Sequence, residues 1–384
     1  MVRSFRYRLR PTRAQARTLD RWLILTRELY NAALQERRDA WAKQHARVTA
    51  FDQMRALPGV REVRPEFNAL PVVVLRGTLR RLDRAFAAFF RRCKSGETPG
   101  YPRFKGRARF ESILIDDLTG GHPIVAGGKR VKVPLLGKVK FKQHRPLEGT
   151  PKALRLTRRA GRWFVTFACA DVPARPLPRT DREVGIDLGL THFVATSDGD
   201  TVDVPLAERS ARLEVECASR RVSRRKRGGG RRRAAVRLLA RVHEHAANVR
   251  RERHIVLARA LVARYGRIFV EKLNIVGLAR GMLSRPVHHA AWGNFLHWLR
   301  VKAESAGREV VEVDPRGTSQ TCPSCGQVAP KSLSERVHRC DCGLVCDRDV
   351  AAAQEIKGRG LRLRGGAAAV GAPRRSAKPK SLAT

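Results

Sequence analysis

Asp187 sits between Ile186 and Leu188 in Glu183-Val184-Gly185-Ile186-Asp187-Leu188-Gly189, a lone carboxylate in what reads as a short buried strand. An ionised group there is costly unless something cationic meets it, and a bound metal is the usual answer. A hydrogen-bonded Asp at a strand end is the plainer alternative. Glu271 closes the apolar run that starts at Tyr265, and Asp349 opens a short helix in Asp347-Arg348-Asp349-Val350-Ala351-Ala352-Ala353. A strand-end charge and an acid in a first helical turn explain each of these singly. Together the three place oxygen ligands on separate rigid elements, as a phosphodiester site holding Mg²⁺ ions about 3.5–4 Å apart requires. Asp314, ending another predicted strand, is a rival ligand, and Asp347 competes with Asp349 for the third place.

A second constellation is sulfur-based. Cys322-Pro323-Ser324-Cys325 and Cys340-Asp341-Cys342, with fourteen residues between them, supply four thiolates on two short turns, the donor set of a closed tetrahedral Zn²⁺. Four thiolates leave no open position for water, so this zinc is structural. Cys346 or His338 could replace one ligand. His243-Glu244-His245 and His288-His289 lack the i, i+4 spacing of a zinc helix and read as surface.

These sites need a scaffold. The 384 residues suffice for two or three domains. Residues 2–10 alternate as a strand, Thr12 caps a helix reaching about Trp41, and a second helix runs from about Leu75 to Arg92. Short strands follow at Ile124–Ala126, Arg130–Val133, Lys138–Phe141, Leu154–Thr157 and Trp163–Phe167, predicting a small antiparallel sheet or barrel completed by residues 2–10. After a proline-bearing linker come three strands, two basic helices hinged at Gly228-Gly229-Gly230, then strand, helix, strand and helix. That is the order of a ribonuclease H-like core. The tail beyond residue 360 is glycine, alanine and basic residues and reads as disordered.

Charge points to the partner. Lys and Arg number 79 against 35 Asp and Glu, a net +44 that a polyanion must neutralise. Arg76, Arg80 and Arg84 share a helix with a single aspartate, and Tyr101, Arg103, Phe104 and Lys105 place stacking faces beside cations, both compositions suited to nucleic acid. A solvated helix face and an ordinary basic loop are the alternatives. No run of 18 apolar residues exists and Met1-Val2-Arg3-Ser4-Phe5-Arg6 lacks a signal-peptide core, so no membrane is involved and a cytoplasmic protein is expected.

Taken in order, Phe5-Arg6-Tyr7-Arg8-Leu9-Arg10-Pro11-Thr12, Gly100-Tyr101-Pro102-Arg103-Phe104-Lys105, Gly185-Ile186-Asp187-Leu188-Gly189, Val270-Glu271-Lys272-Leu273-Asn274, the segment Thr318 to Gly326 and Asp347 to Ala353 resemble the TnpB family of transposon-encoded RNA-guided DNA endonucleases, relatives of compact type V CRISPR effectors. The resemblance implies an α/β plus β-barrel chain: a wedge barrel (1–10 and 93–178) with an inserted helical recognition lobe (11–92), a RuvC-type nuclease (179–317 and 346–360), a zinc-ribbon-like target-binding insertion (318–345) and a basic tail (361–384). It implies a catalytic triad of Asp187, Glu271 and Asp349 on Mg²⁺, structural Zn²⁺ on Cys322, Cys325, Cys340 and Cys342, a guide RNA from the transposon end, a double-stranded DNA target beside a short flanking motif, and one or two copies per RNA in a prokaryotic cytoplasm, acting at the nucleoid. One position departs from the family: its Asp-x-Asn-Ala-Ala reads here with Ala351 for Asn. A nuclease-weak RNA-guided repressor is the alternative. A single-strand transposase ranks last, since its His and Tyr arrangement is missing.

Overall fold

The computed structural model describes residues 1–116, 118, 129–278, 284–332 and 335–370. The chain divides into two compact units, Met1–Pro173 and Ala174–Thr384.

The first unit begins with β1 (Arg3–Arg10) and α1 (Arg13–Gln44). Thr12 caps α1 as expected: its hydroxyl accepts the Gln15 N–H at 3.2 Å while the Gln15 side chain accepts the Thr12 N–H at 3.1 Å. Two short helices that periodicity did not reveal follow, α2 (Ala50–Arg55) and α3 (Leu57–Val63), before α4 (Val72–Lys94). Then come β2 (Ser112–Ile115), also unforeseen, β3 (Arg130–Val133), β4 (Gly137–Lys142), β5 (Thr150–Arg159) and β6 (Arg162–Ala170). The strand expected at 124–126 lies outside the described residues. The antiparallel sheet runs β2-β5-β6-β1-β4-β3, so the N-terminal strand completes it from a central position. Where a barrel was one expectation, the described strands form an open order with β2 and β3 as its edges. One apolar core joins sheet and helices, from Tyr7 and Phe167 to Trp22, Leu75 and Leu82.

The second unit starts with β7 (Glu183–Asp187), β8 (Val194–Thr196) and β9 (Thr201–Val202), then α5 (Leu206–Ser223) and α6 (Gly230–Arg264). The glycine run between these helices is a pinned turn and not a loose hinge: Arg232 donates to the Val222 and Arg225 carbonyls at 2.7 and 3.0 Å, tying off the end of α5. β10 (Arg267–Glu271), α7 (Ile275–Leu278), α8 (Ser284–Ala290), α9 (Trp292–Ala306) and β11 (Glu309–Val313) follow. The sheet order is β11-β10-β7-β8-β9, antiparallel from β7 to β9 and parallel from β7 to β11, and α9 buries Trp292, Phe295, Leu296 and Leu299, which recur at helical spacing.

A hairpin of β12 (Val337–Arg339) and β13 (Val345–Asp347) leads into α10 (Arg348–Val370). The chain expected to be disordered from 361 is thus helical to Val370. Gly358 and Gly360 do not end this helix, because its Ala- and Arg-rich stretches favour it and Gly360 serves close packing: a Cβ there would come within 2.0 Å of the Phe269 ring. Residues 371–384 lie outside the described residues.

Where α10 crosses β7, a Cβ on Gly185 would meet the Ala353 carbonyl at 2.0 Å and the Lys357 nitrogen at 2.7 Å. Backbone cannot yield as a side chain can, so Gly185→Ala must push the helix off the sheet. We expect about 3 kcal/mol of destabilisation, read as a lower urea midpoint. No helix among the described residues is long and apolar enough to cross a membrane.

Candidate acid site and cysteine metal centre

The parallel register sets Val270 against Ile186, so Glu271 and Asp187 are next in line on adjacent strands at the same end of the sheet. Asp349 arrives from the first turn of α10, its Oδ2 3.5 Å from where a Gly189 Cβ would stand. Glycine is required there by the other side, where a Cβ would stand 2.7 Å from the His192 carbonyl oxygen. Burial, then Glu271 and Asp349, push the Asp187 carboxyl up to about 8. Burial likewise raises Glu271 and Asp349, the latter with help from Asp347. The three acids therefore share one end of the sheet and one electrostatic field, although their oxygens are not all within 4.8 Å of one another. Such a cluster of half-desolvated carboxylates is stabilised by hard cations.

The rival acids are differently employed. Asp347 caps α10, accepting the Asp349 and Val350 N–H groups at 2.8 and 3.2 Å. The exposed Asp314 accepts the Arg316 N–H in a local turn. Ala351, in place of the family's Asn, is 2% exposed in the packed face of α10.

Sequence reading passed over the residues that hold the acids. Thr318, 4% exposed, donates its hydroxyl to Glu271 and is itself anchored near the Pro315 carbonyl. Arg359 donates to the carbonyls of Asp314 and Arg316 at 3.0 and 2.6 Å, fixing the turn that carries Thr318. Their signal was faint: a threonine in the turn five residues beyond a strand, and an arginine three turns into a helix. Replacing an outer partner of a metal ligand typically costs 10–100-fold in metal affinity. If Glu271 holds a divalent cation, Thr318→Val should weaken its binding by about that factor, as calorimetry can test, and should also lower the melting temperature of the metal-free chain, because the buried Glu271 carboxyl loses its donor.

The raised Asp187 pKa has a sign that can be measured. Between the ordinary value of 3.8 and about 8 the folded chain keeps a proton that the unfolded chain has released. That contribution to stability is full below the lower value and lost as pH rises through the upper one. Metal-free protein should melt at a lower temperature in alkaline than in mildly acid buffer, and Asp187→Asn should flatten that slope. Added Mg²⁺ should raise the melting temperature most at the alkaline end, where the carboxylates are already deprotonated.

The sulfur site is closed. Sγ atoms of Cys322, Cys325, Cys340 and Cys342 all lie within 4.8 Å, with Cys322–Cys342 at 3.7 Å and Cys325–Cys340 at 3.5 Å. Four sulfurs at tetrahedral corners about 2.3 Å from a zinc ion stand about 3.8 Å apart, so the residues fit Zn²⁺. Cys346 and His338 are outside this set. His338 is 1% exposed, its Nδ1 beside the Lys331 ammonium. Burial raises the Cys322 thiol, but N–H groups of Cys325 and Ser324 and the His338 side chain bring it well below the ordinary value.

Of the residues expected to meet nucleic acid, Tyr101 and Phe104 keep exposed rings, Tyr101 standing edge-on to Phe86 and Phe89, with Arg38 over Phe104 at 5.4 Å. Arg76 and Arg103 are exposed. Lys105 is partly covered and its backbone is clamped by Asn31. Arg80 and Arg84 bind Asp116 at 2.8 and 3.2 Å, an internal duty that the helix composition did not disclose.

Three family descriptions match in chain order: "Helix-turn-helix domain" over residues 1–46, "Probable transposase" over 167–282 and "Cas12f1-like, TNB domain" over 292–356. The first name does not describe the fold here, where β1 leads into one uninterrupted helix. A Streptomyces pristinaespiralis protein named "Putative RNA-guided DNA endonuclease" is 35% identical over 94% of this chain and 89% of its own. Escherichia coli "Putative RNA-guided DNA endonuclease InsQ" is 23% identical over 76% and 75%, and the "CRISPR-associated endodeoxyribonuclease Cas12f1" of Sulfoacidibacillus thermotolerans 24% over 52% and 50%. The chain is strongly basic and carries an acid cluster on a mixed sheet and a four-cysteine centre. It belongs to the TnpB family, which is related to Cas12f.

Proposed function

We propose that the protein is an RNA-guided DNA endonuclease of a transposable element. The observation that carries this is the convergence of Asp187, Glu271 and Asp349 at one sheet end in a chain of net charge +44. The similarly named relatives support it. The acid-bearing unit is the RuvC-type nuclease of this reading. The sheet of the first unit is its wedge domain, helices α1–α4 its recognition lobe, and residues 318–345 its zinc-bearing target-binding insertion. Cationic side chains hold the guide and its heteroduplex by backbone and shape, base pairing reads the sequence, and the protein reads a short motif flanking the target.

Asp187, Glu271 and Asp349 would hold Mg²⁺, a pair of ions supplying Lewis-acid activation of water and charge neutralisation at the leaving oxygen. The chain's own part is positional. Thr318 fixes the carboxylate of Glu271, the Asp347 cap sets the first turn from which Asp349 projects, and Gly185 lets α10 approach β7.

The test is to purify the chain with RNA from its native locus and offer, with Mg²⁺, a guide-matched target library randomised in the flank. Guide-dependent cutting beside one enriched motif is expected. Tight guide-dependent binding without cutting would instead establish a repressor and turn attention to Ala351→Asn. Cutting that ignores the guide would overturn the proposal.

A further inference from the structure

Beside the acid site lies a cavity of about 180 Å³ formed by the β7–β8 turn, α5, α6 and α8. It is slightly larger than the roughly 150 Å³ that accommodates a benzene ring in a protein interior. It therefore suits one planar ring. Leu190, Phe193, Val204, Val215, Ala246 and Ala290 give it apolar walls. Phe193 is held rigidly, stacked on His254 at 5.3 Å and 11° with the Arg253 guanidinium 3.8 Å from its centroid. Burial keeps His254 neutral, its pKa near 4.

The polar part of the lining is cationic. Its acid, Glu208, is spent in a buried pair with Arg253 at 3.0 Å. Arg250 donates to the His288 and His289 carbonyls at 3.2 and 2.8 Å, fastening α8 to α6 as one wall. The exposed Arg212 also lines it, together with His243 and His289, which the sequence reads as mere surface. An apolar slot with hydrogen-bonding edges and a guanidinium at its rim is the complement of a nucleobase and its phosphate.

Position selects the occupant. Gly189 lines this cavity and also borders Asp349, whose Oδ2 lies 3.5 Å from the place of a Gly189 Cβ. A strand with a phosphate at the acids has its neighbouring base within reach of the slot. We infer that this cavity is a nucleobase pocket that captures one unstacked base of the DNA strand next to the scissile phosphate. This rests on the nuclease reading and adds a specificity subsite to it.

The test uses the RNA-loaded chain and target strands carrying one abasic nucleotide, moved stepwise past the cut. A stacked base contributes about 1–3 kcal/mol, and 1.4 kcal/mol is tenfold. We expect about a tenfold loss of kcat/KM at one position beside the cut and far smaller losses elsewhere. Ala246→Leu, which fills the slot, should cut the intact target about tenfold more slowly and show no further loss at that position. Arg212→Ala, a surface change that cannot overpack the cavity, should raise KM with kcat nearly unchanged. Bound zinc and guide-RNA affinity equal to the parent's confirm that both variants fold. A flat scan in a parent that cuts well overturns the pocket and leaves the nuclease reading standing. If the parent does not cut, 2-aminopurine moved along the bound strand gives an independent readout. Quenching at one position, relieved by Ala246→Leu, supports the pocket, and uniform fluorescence overturns it.

Discussion

Asp187→Ala, loaded with guide RNA and saturated with target, is expected to cut about a thousandfold more slowly than the parent while binding both nucleic acids as tightly. On the proposed nuclease reading the acids would contribute several kcal/mol of transition-state charge stabilisation through the ions they would hold, and each 1.36 kcal/mol is a decade in rate. Glu271→Gln and Asp349→Asn should fall in the same range. The controls are the acids that the fold employs elsewhere. Asp314→Ala should cut at nearly the parental rate, since that side chain serves a local turn. Asp347→Ala removes a helix cap, which costs about 1 kcal/mol of stability, and should slow cutting far less than loss of Asp187. A rate for Asp187→Ala within a few-fold of the parent's would sink the triad assignment. Equal rates for Asp347→Ala and Asp349→Asn would show that the third ligand had been misassigned.

The second large effect concerns the four cysteines. Cys322→Ser should abolish stoichiometric zinc and unfold the insertion, because a site of this kind carries about 10–16 kcal/mol of metal-binding free energy and the segment has little else to hold it. Among the described residues its regular structure is the pairing of β12 with β13, and Cys322 and His338 are the buried side chains nearest the sulfurs. Hydrogen exchange should show protection lost across 318–347 and retained in β7 and β10. His338→Ala and Cys346→Ser should still bind one zinc, since neither side chain belongs to the cluster of four sulfurs. Loss of stoichiometric zinc in Cys346→Ser would mean that the ligand set is misassigned.

What sequence revealed and what it withheld follow a physical division. Local rules were sufficient where a residue acts on its near neighbours: Thr12 as a cap, the alternation of β1, the apolar face of α9. The three acids were legible because a carboxylate amid Ile and Leu, or closing an apolar strand, is anomalous in itself. The cysteines were legible by spacing, and the four sulfurs that lie together are those of the two short turns. Long-range partners carry no such mark. Arg80 and Arg84 look ready for phosphate until Asp116, which folds against them from beyond β2, takes both. Thr318 looks ordinary until Glu271 is beside it. The cavity behind Gly189 needs four elements in place before His243 and His289 acquire a common purpose.

The crossing of α10 over β7 at Gly185 also bears on when the protein acquires its chemistry. The two sheet acids are synthesised before the ribosome reaches Asp349, and the four-cysteine segment is made in between. Domains fold from the N-terminus as they emerge, so a nascent chain carries a basic, nucleic-acid-attracting body with an incomplete set of acids. On the proposed reading, α10 supplies the third carboxylate last, so a product truncated before Asp349 would lack it.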